Sequence, residues 1–322
     1  MGRNLFMTLL SFVIPCYGSE NTIEAVYKEI ASKVAEKNEY DYEVIAVNDC
    51  SPDGLLSVLY HLNSLDSKFK VVNLARNMNR PGAVMAGLNC ASGDIVIVMD
   101  DDGQCPMDRL WDLLAPLDNG FDVSMAKYPQ RKQSLFKDFG TFVNKKMTEV
   151  VLNRPPELEF TNFMAMKQYI VKVLIQYHNP YPYMTGLLLR TTKYITNVTM
   201  EERERFSGGT TFTFRKLLSL WINGLTAFSI LPLRIATFLG FAVSVIGFIF
   251  GIVILIRKLV QPDIAAGYSS TIVSIFILNG IVLLILGLIG EYIGRIYICL
   301  NRSPQYVIKD KIGFDNNSEE KQ

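Results

Sequence analysis

Three consecutive carboxylates stand where a short apolar segment ends. The run Asp100-Asp101-Asp102-Gly103-Gln104 directly follows the segment 94–99, which is nearly continuous in apolar character. Carboxylates this close repel one another unless a positive charge neutralises them. Asp100 and Asp102 suit a hard divalent cation, Mg²⁺ or Mn²⁺, that would bridge a diphosphate. A solvated acidic turn is the alternative, and a place at the carboxyl end of a strand favours the metal.

Two more polar turns follow apolar segments in the same way. The turn at residues 48–54 contains Asp49, which would point into the crevice at the end of the strand. The Ser-Pro-Asp of the same turn could begin the helix that follows, and the two roles are compatible. The turn at residues 15–20 contains Tyr17, whose ring is able to stack on a base, and Glu20, which could accept a hydrogen bond from that base.

The elements that must position these turns alternate between strand and helix. Four short, nearly continuous apolar segments are typical of buried parallel strands: 9–15, 42–48, 70–74 and 94–99. Segments with an apolar helical period separate them: 21–37, 52–65 and 81–91. This alternation predicts a parallel α/β sheet, whose ligands bind beyond the carboxyl ends of the strands. The polar turns fall there.

Two long apolar runs follow residue 230. Residues 235–256 and 268–290 contain 22 and 23 residues without a charge. At about 1.5 Å per residue, either run as a helix would cross a hydrocarbon core of about 30 Å. A short link at 257–267 predicts a transmembrane hairpin. Buried core helices are the alternative, which two neighbouring runs of this length disfavour.

The chain is therefore expected to comprise a globular domain at 1–230, the hairpin at 231–300 and a tail at 301–322. Basic residues before and after the hairpin place both flanks in the cytoplasm by the positive-inside tendency, although the link also carries two. Residues 131–152 mix basic and aromatic side chains, which predicts an amphipathic helix on the membrane surface, with a solvated surface helix as the alternative.

The composition limits the expected partners and the expected compartment of the protein. The 32 basic and 31 acidic side chains nearly cancel, so charge gives no reason to expect nucleic acid as a partner. The 5 cysteines are odd in number and lack C-x-x-C spacing, which argues against a disulfide framework and a zinc site and favours a reducing compartment.

The sequence resembles the inverting glycosyltransferases of family 2 and, within them, the polyisoprenyl-phosphate glycosyltransferases. The matching stretches are SFVIPCYGSENTIE, EVIAVNDCSPDG, VVNLARNMNRPGAVMAGL, GDIVIVMDDDGQCP, NGLTAFSILPLR and GEYIGRIY. PLR before the hairpin and GEYIGRIY at its end are the more specific for the lipid-phosphate subgroup. The resemblance implies the GT-A fold, a Rossmann-like mixed sheet, followed by a two-helix transmembrane hairpin.

The resemblance also implies roles for the matching residues. Asp100 and Asp102 would act on the diphosphate and hold the metal, while Arg203 and Arg205 would help to hold a donor or acceptor phosphate as catalytic residues. The residues that would bind the nucleotide-sugar are Pro15, Tyr17, Glu20, Asp49, Arg76, Asn77, Asp101, Gly208 and Thr210.

The chain departs from the family pattern in two places. Thr211-Phe212 stands where the family often has Lys-Tyr, and Asn162 stands where many members carry an Asp that is a candidate base. A phosphate monoester has a second pKa of about 6, so a lipid phosphate is already largely a dianion at neutral pH. The reaction is therefore expected to proceed without a strong general base.

The expected function is transfer of a hexose from a UDP-sugar to a polyprenyl phosphate, undecaprenyl phosphate in bacteria, for cell-envelope glycans. The enzyme would lie in the cell membrane with its catalytic domain in the cytoplasm, and the resemblance implies a homo-oligomer. One alternative is a membrane-anchored family 2 transferase with a different acceptor. Another is a membrane scaffold with impaired catalysis, against which the retained acidic cluster counts.

Overall fold

The computed structural model describes residues 7–128, 149, 154–180, 182–203, 231–260, 267–301 and 303–314. They form two compact units: residues up to 203 together with 303–314, and the two long C-terminal helices. The predicted surface helix at 131–152 lies outside the described residues except for Glu149. Arg205, Gly208 and Thr210 also lie outside them.

The first part of the globular unit alternates strand and helix, as predicted. Its elements are β1 Thr8–Cys16, α1 Ile23–Val34, β2 Tyr40–Asn48, α2 Leu55–Leu65, β3 Phe69–Leu74, α3 Asn79–Cys90 and β4 Ile95–Val98. The apolar period of α1 predicts its buried face, and Ile23, Val26 and Ile30 are indeed buried. A Cβ at Gly87 of α3 would lie 2.4 Å from Val13 Cγ1, so only glycine lets this helix approach β1 so closely.

The remaining elements complete one mixed sheet. They are a 3₁₀ turn at Met107–Arg109, α4 Leu110–Asp118, β5 Val123–Lys127, β6 Met164–Lys167, α5 Gln168–Leu174, α6 Met184–Thr191, β7 Ile195–Thr199 and β8 Ile308–Ile312. Across the described strands the order is β7-β5-β6-β4-β1-β2-β3-β8. The predicted parallel arrangement is confirmed for β1 to β4, whereas β6 pairs antiparallel with β4. The sheet formed by the described strands is mixed, as the resemblance implies.

The edge strand β8 has no counterpart among the predicted elements. It pairs antiparallel with β3, with Val71 opposite Ile312 and Asn73 opposite Asp310. Residues 303–314 therefore belong to the globular unit rather than to a separate tail. The strand escaped prediction because the sequence IKDKI has only two apolar residues, and charged side chains are common on edge strands.

The second unit consists of α7 Leu231–Val260 and α8 Tyr268–Leu300. Both helices are long and apolar enough to cross a membrane, over Ala236–Val253 and Leu278–Leu300. They extend beyond the predicted spans and carry charged residues outside them, such as Arg257 and Lys258 in α7 and Glu291 and Arg295 in α8. Large apolar side chains are exposed, Phe238 at 74% and Leu283 at 69%, unlike those of a core helix. Homo-oligomer formation stays a prediction.

Candidate active site

The three polar turns meet at the carboxyl ends of β1, β2 and β4. β1 is the parallel neighbour of both other strands, so the turns after these strands open at one edge of the sheet. The backbone N–H of Tyr17 donates to Asp101 Oδ2 at 3.1 Å, and the N–H of Gly18 donates to Ser51 Oγ at 2.8 Å. The predicted convergence of the turns is therefore present in the structure.

Both carboxylate oxygens of Asp100 have a partner. Arg80 Nε donates to Oδ1 at 2.8 Å, and Asn162 Nδ2 donates to Oδ2 at 2.7 Å. Arg80 Nη2 is buried and has no hydrogen-bond partner among the described residues, so the guanidinium is incompletely satisfied by them. Arg80 was not among the predicted site residues. Its only signal in the sequence is a basic residue in the first turn of the helix that follows β3.

Asp101 and Asp102 turn to different neighbours. Burial raises the pKa of Asp101 to about 6, and the backbone oxygen of Asp101 accepts a hydrogen bond from Thr22 Oγ1 at 2.7 Å. Asp102 Oδ1 accepts from the N–H of Gln104 at 3.1 Å. Asp101 therefore joins the acidic run to the first turn.

A divalent cation fits this donor set only with help from a substrate. Among the described residues no group of three or more His, Cys, Asp or Glu side chains could hold a metal ion. Mg²⁺ is commonly bound through one or two carboxylates together with substrate phosphates and water. Asp100 and Asp102 offer hard oxygen ligands that match that pattern, and Asp100 lines an open cavity. Their metal role stays a prediction.

Asp49 organises the loop that carries Arg76 and Asn77. Its Oδ1 accepts from the N–H of Met78 at 2.6 Å, and its backbone oxygen accepts from Asn77 Nδ2 at 3.2 Å. Burial raises the pKa of Asp49, since its side chain is nearly inaccessible. Arg76 and Asn77 themselves are exposed at the edge of the site.

Backbone strain accompanies this loop. Cys50 and Asn79 have φ values of 54° and 58°, in the left-handed region that non-glycine residues rarely adopt. Asn tolerates this conformation, whereas Cys gains nothing local from it. Such strain persists only where the surroundings impose it, and it is found most often at functional sites. Asp49 connects the two strained residues: it directly precedes Cys50, and its carboxylate accepts from the N–H of Met78, the residue before Asn79.

The first turn presents an aromatic ring to solvent. Tyr17 is 55% exposed, as a residue that stacks on a base would be, while Pro15 is buried at the end of β1. Glu20 Oε2 accepts from the N–H of Gly54 at 2.6 Å, and the N–H of Glu20 donates to Asp53 Oδ2 at 3.2 Å. Glu20 thus ties the first turn to the second, and its predicted contact with a base stays a prediction.

A cavity of about 280 Å³ opens beside Asp100. Its lining combines aromatic rings with hydroxyl, amide and carboxylate groups: Asp100, Gln104, Cys105, Tyr128, Phe160, Thr161, Asn162, Phe163 and Glu202. Aromatic surface and hydrogen-bonding groups together suit a sugar ring, which has both C–H faces and hydroxyls. Burial raises the pKa of Cys105 and of Tyr128, so both keep their protons at neutral pH.

Arg203 reaches a different surface from the one expected. Its guanidinium binds Glu29 at 3.0 Å and also contacts Asp108. Its backbone contacts a residue that lines the cavity, because the N–H of Arg203 donates to the carbonyl oxygen of Gln104 at 3.2 Å. The structure therefore brings Asp100, Asp101, Asp102 and the residues of the two neighbouring turns together, but it directs the charge of Arg203 to α1.

The mixed sheet, with the acidic turns at the carboxyl ends of its strands, has the GT-A fold. A solved structure with the same fold is glucosyl-3-phosphoglycerate synthase from Mycobacterium tuberculosis in complex with Mn²⁺, UDP-glucose and phosphoglyceric acid. The TM-score is 0.52 at 18% identity, covering 69% of this chain and 78% of that chain. Residues 11–177 match the model of Glycosyl transferase family 2. The chain belongs to that family and is a glycosyltransferase.

Two relatives match over nearly their whole length. The bactoprenol glucosyl transferase of Shigella phage SfII is 32% identical over 306 residues, covering 93% of this chain and 97% of the relative. The undecaprenyl-phosphate 4-deoxy-4-formamido-L-arabinose transferase of Proteus mirabilis is 28% identical over 317 residues, covering 97% of each chain. Coverage this complete extends the similarity beyond the sugar-transferase domain to the C-terminal helices.

Proposed function

We propose that this enzyme transfers a hexose from a UDP-sugar to a polyprenyl phosphate at the cytoplasmic face of a membrane, with inversion at the anomeric carbon. The observation that carries the proposal is the cavity beside Asp100, present in a chain that also has two helices of membrane-spanning length. A water-soluble acceptor would give no reason for such helices. The names of the two relatives support a lipid phosphate as acceptor.

The donor would bind across the three turns. Tyr17 offers an exposed ring for the base, and Asp49 is the carboxylate to which the resemblance assigns nucleotide binding. Asp102 and Asp100 would hold the divalent cation, which supplies positive charge to the departing diphosphate. Arg80 adds a guanidinium next to Asp100, and its side chain is 34% exposed, so it could also reach phosphate oxygens.

The acceptor needs no proton removed. A lipid phosphate oxygen attacks the anomeric carbon, the carbon–oxygen bond to the diphosphate breaks, and the electron pair leaves with the diphosphate. Because the attacking phosphate is largely a dianion above about pH 6, no base is required. The amide of Asn162 instead donates to Asp100 and holds that carboxylate in place. The main catalytic task is then to stabilise the negative charge of the departing diphosphate.

The pairing of β8 with β3 supports the membrane topology. β3 precedes both apolar helices in the chain and β8 follows them, yet the two strands share one sheet. If the helices are embedded in a membrane, the chain must cross it an even number of times between these strands. Two crossings, by α7 and α8, satisfy this condition and keep residues 303–314 on the side of the globular domain. The positive-inside tendency makes that side the cytoplasm.

The direct test of activity uses membranes that contain the full-length chain. Incubation with a panel of radiolabelled nucleotide-sugars and polyprenyl phosphate should yield an organic-soluble, acid-labile labelled lipid from one donor. Asp102→Asn provides the inactive control. Label that appears only in polymer or protein would instead identify a different acceptor. No transfer from any donor would favour the scaffold alternative.

Topology is tested independently with engineered cysteines in a background from which the native cysteines are removed. A membrane-impermeant thiol reagent applied from outside intact cells should label Ala265→Cys in the predicted link but not Lys309→Cys on β8. Labelling of Lys309→Cys from outside would place the globular domain on the outer face. A cytoplasmic nucleotide-sugar could then not reach the site.

A further inference from the structure

Asp310, on the edge strand that follows the membrane-length helices, binds two elements of the globular core. Its Oδ2 accepts from the hydroxyl of Tyr60 on α2 at 2.5 Å, and its Oδ1 accepts from Asn73 Nδ2 on β3 at 2.7 Å. Burial, and then this contact with Asp310, raises the pKa of Tyr60 to about 12, so the hydroxyl remains a donor. The carboxylate therefore accepts from both neighbours.

From Asn73, a series of hydrogen bonds continues toward the turns after β1 and β2, which we propose bind the nucleotide-sugar. Asn48 Nδ2 donates to Asn73 Oδ1 at 2.9 Å, and the N–H of Ser51 donates to Asn48 Oδ1 at 3.2 Å. Ser51 Oγ in turn accepts from the N–H of Gly18 at 2.8 Å. Asn73 and Asn48 are 4% and 3% exposed, so water cannot replace these partners easily.

The carboxylate of Asp310, at the end of this series of hydrogen bonds, sets the orientation of the amide groups in it. A carboxylate can only accept hydrogen bonds, so Asn73 must turn its NH₂ group toward Asp310 and its oxygen toward Asn48. Asn48 then presents its own oxygen to the second turn. Without Asp310, the amide of Asn73 could rotate, and Asn48 would lose its acceptor.

The same segment also supports the loop of Arg76 and Asn77. The N–H of Ala75 donates to the carbonyl oxygen of Val307 at 2.8 Å, immediately before this loop. Two parts of the proposed donor site, the turn after β2 and the loop before α3, thus depend on residues that follow α8. Neither dependence involves a residue in direct contact with the cavity beside Asp100.

We infer that Asp310 is a positioning residue of the donor site, through which the segment after the membrane-length helices orients the turns that bind the nucleotide. The inference rests on the proposed nucleotide-sugar donor. It assigns Asp310 no contact with substrate. Losing Asp310 should therefore weaken nucleotide binding while leaving turnover at saturating donor largely unchanged.

Three single variants separate the two hydrogen bonds of the carboxylate. Asp310→Ala removes both, and Asn73→Ser breaks the branch toward the turns proposed to bind the nucleotide-sugar. Tyr60→Phe removes the hydroxyl of α2, which contacts Asp310 and Asn73, but keeps the hydrogen bond from Asn73 to Asp310. Asp310→Asn is the conservative variant, because its oxygen can accept from Asn73 while its NH₂ faces the Tyr60 oxygen. Each is made in the full-length chain. Binding of UDP or GDP with Mn²⁺ is measured by calorimetry, alongside the unfolding midpoint and the donor dependence of the rate.

The Kd for the nucleotide and the KM for the donor should rise about tenfold in Asp310→Ala and Asn73→Ser, the size of effect expected for one lost buried hydrogen bond. They should stay within about twofold of wild type in Tyr60→Phe and Asp310→Asn, and kcat should change by less than about threefold in all four. If Tyr60→Phe weakens binding as much as Asp310→Ala, in step with the unfolding midpoint, the role is only structural and the inference is wrong.

A failure of the proposed function is distinguishable. If the wild type binds neither UDP nor GDP, the donor assignment is wrong and the inference falls with it. If the wild type binds and both Asp310→Ala and Asn73→Ser bind equally well, the inference alone is overturned. Asn73→Ser keeps the carboxylate and its bond to Tyr60, so it tests the inference even if Asp310→Ala fails to fold.

Discussion

Replacing Asn162 by aspartate gives the sharpest test of catalysis without a base. In the structure the Asn162 amide donates to Asp100 Oδ2 at 2.7 Å. Asn162→Asp would place a second carboxylate against the first, at the position where the resemblance implies a candidate base. The two explanations of this position predict opposite responses to pH.

The size of the expected effect follows from the short distance between the two carboxylates, at positions 100 and 162. Two unit charges about 4 Å apart interact by about 4 kcal/mol at an effective dielectric constant of about 20. This equals about three pKa units, so the pair would share a proton up to about neutral pH. Below that pH the protonated carboxyl group introduced at position 162 can donate to Asp100 as the amide does. Above it, the additional negative charge repels the diphosphate and the acceptor phosphate.

The assay is the pH dependence of kcat/KM for Asn162→Asp divided by that of wild type, between about pH 6 and 8.5 at saturating metal. We expect the ratio to be near one at low pH and to fall about tenfold as the pair ionises. Asn119→Asp, which adds the same charge at an exposed position after α4, is the control and should give a flat ratio.

A ratio that rises with pH would refute this reasoning. A newly supplied general base becomes more effective as it loses its proton, so a rise would show that the wild-type site lacks a base that it needs. The dianion argument for the acceptor would then be wrong.

Three further changes test the site and the scaffold. Asp102→Asn should abolish transfer while circular dichroism stays unchanged, because a metal and diphosphate ligand is lost; strong turnover in metal-free buffer would contradict the metal role. Arg80→Gln should lower kcat/KM more than about tenfold. Arg80→Lys should restore only part of this loss, because lysine lacks the planar guanidinium of arginine. Arg109→Gln, which breaks an exposed ion pair with Asp112, is the control and should leave kcat/KM unchanged. Glu43→Gln should lower the unfolding midpoint by about 6 to 12 °C, because removing one partner of a buried ion pair costs about 3 kcal/mol or more.

The pH dependence of stability follows from the same Glu43. Burial raises its pKa, but hydrogen bonds from Lys70, Ser11 and Ser92 outweigh burial and hold the pKa below its ordinary value of 4.5. A depressed pKa stabilises the folded state above the ordinary value, and this stability is lost as the pH falls through the folded-state pKa. Wild type should therefore lose more stability than Glu43→Gln on acidification below about pH 4.5. Parallel losses would contradict this role.

Local patterns in the sequence determined the elements and the acidic end of β4. Strand and helix follow from the spacing of apolar residues over a few positions, so β1 to β4 and their helices are confirmed within a few residues. The same locality makes the polar turns predictable, because parallel neighbouring strands bring their carboxyl ends to one edge. The two apolar runs depend on composition alone, and both are helices in the structure.

Only the tertiary structure decided which charges and amides meet. Asp100 lies beside Arg80 and Asn162, which come from α3 and from the segment before β6, while Arg203 turns to Glu29 on α1. A charged residue in a sequence does not specify its partner, because the partner depends on strand order and on the path of distant loops. The antiparallel pairing of β8 with β3 is of this kind: its five residues carry little apolar signal, and only the open edge of β3 makes them a strand.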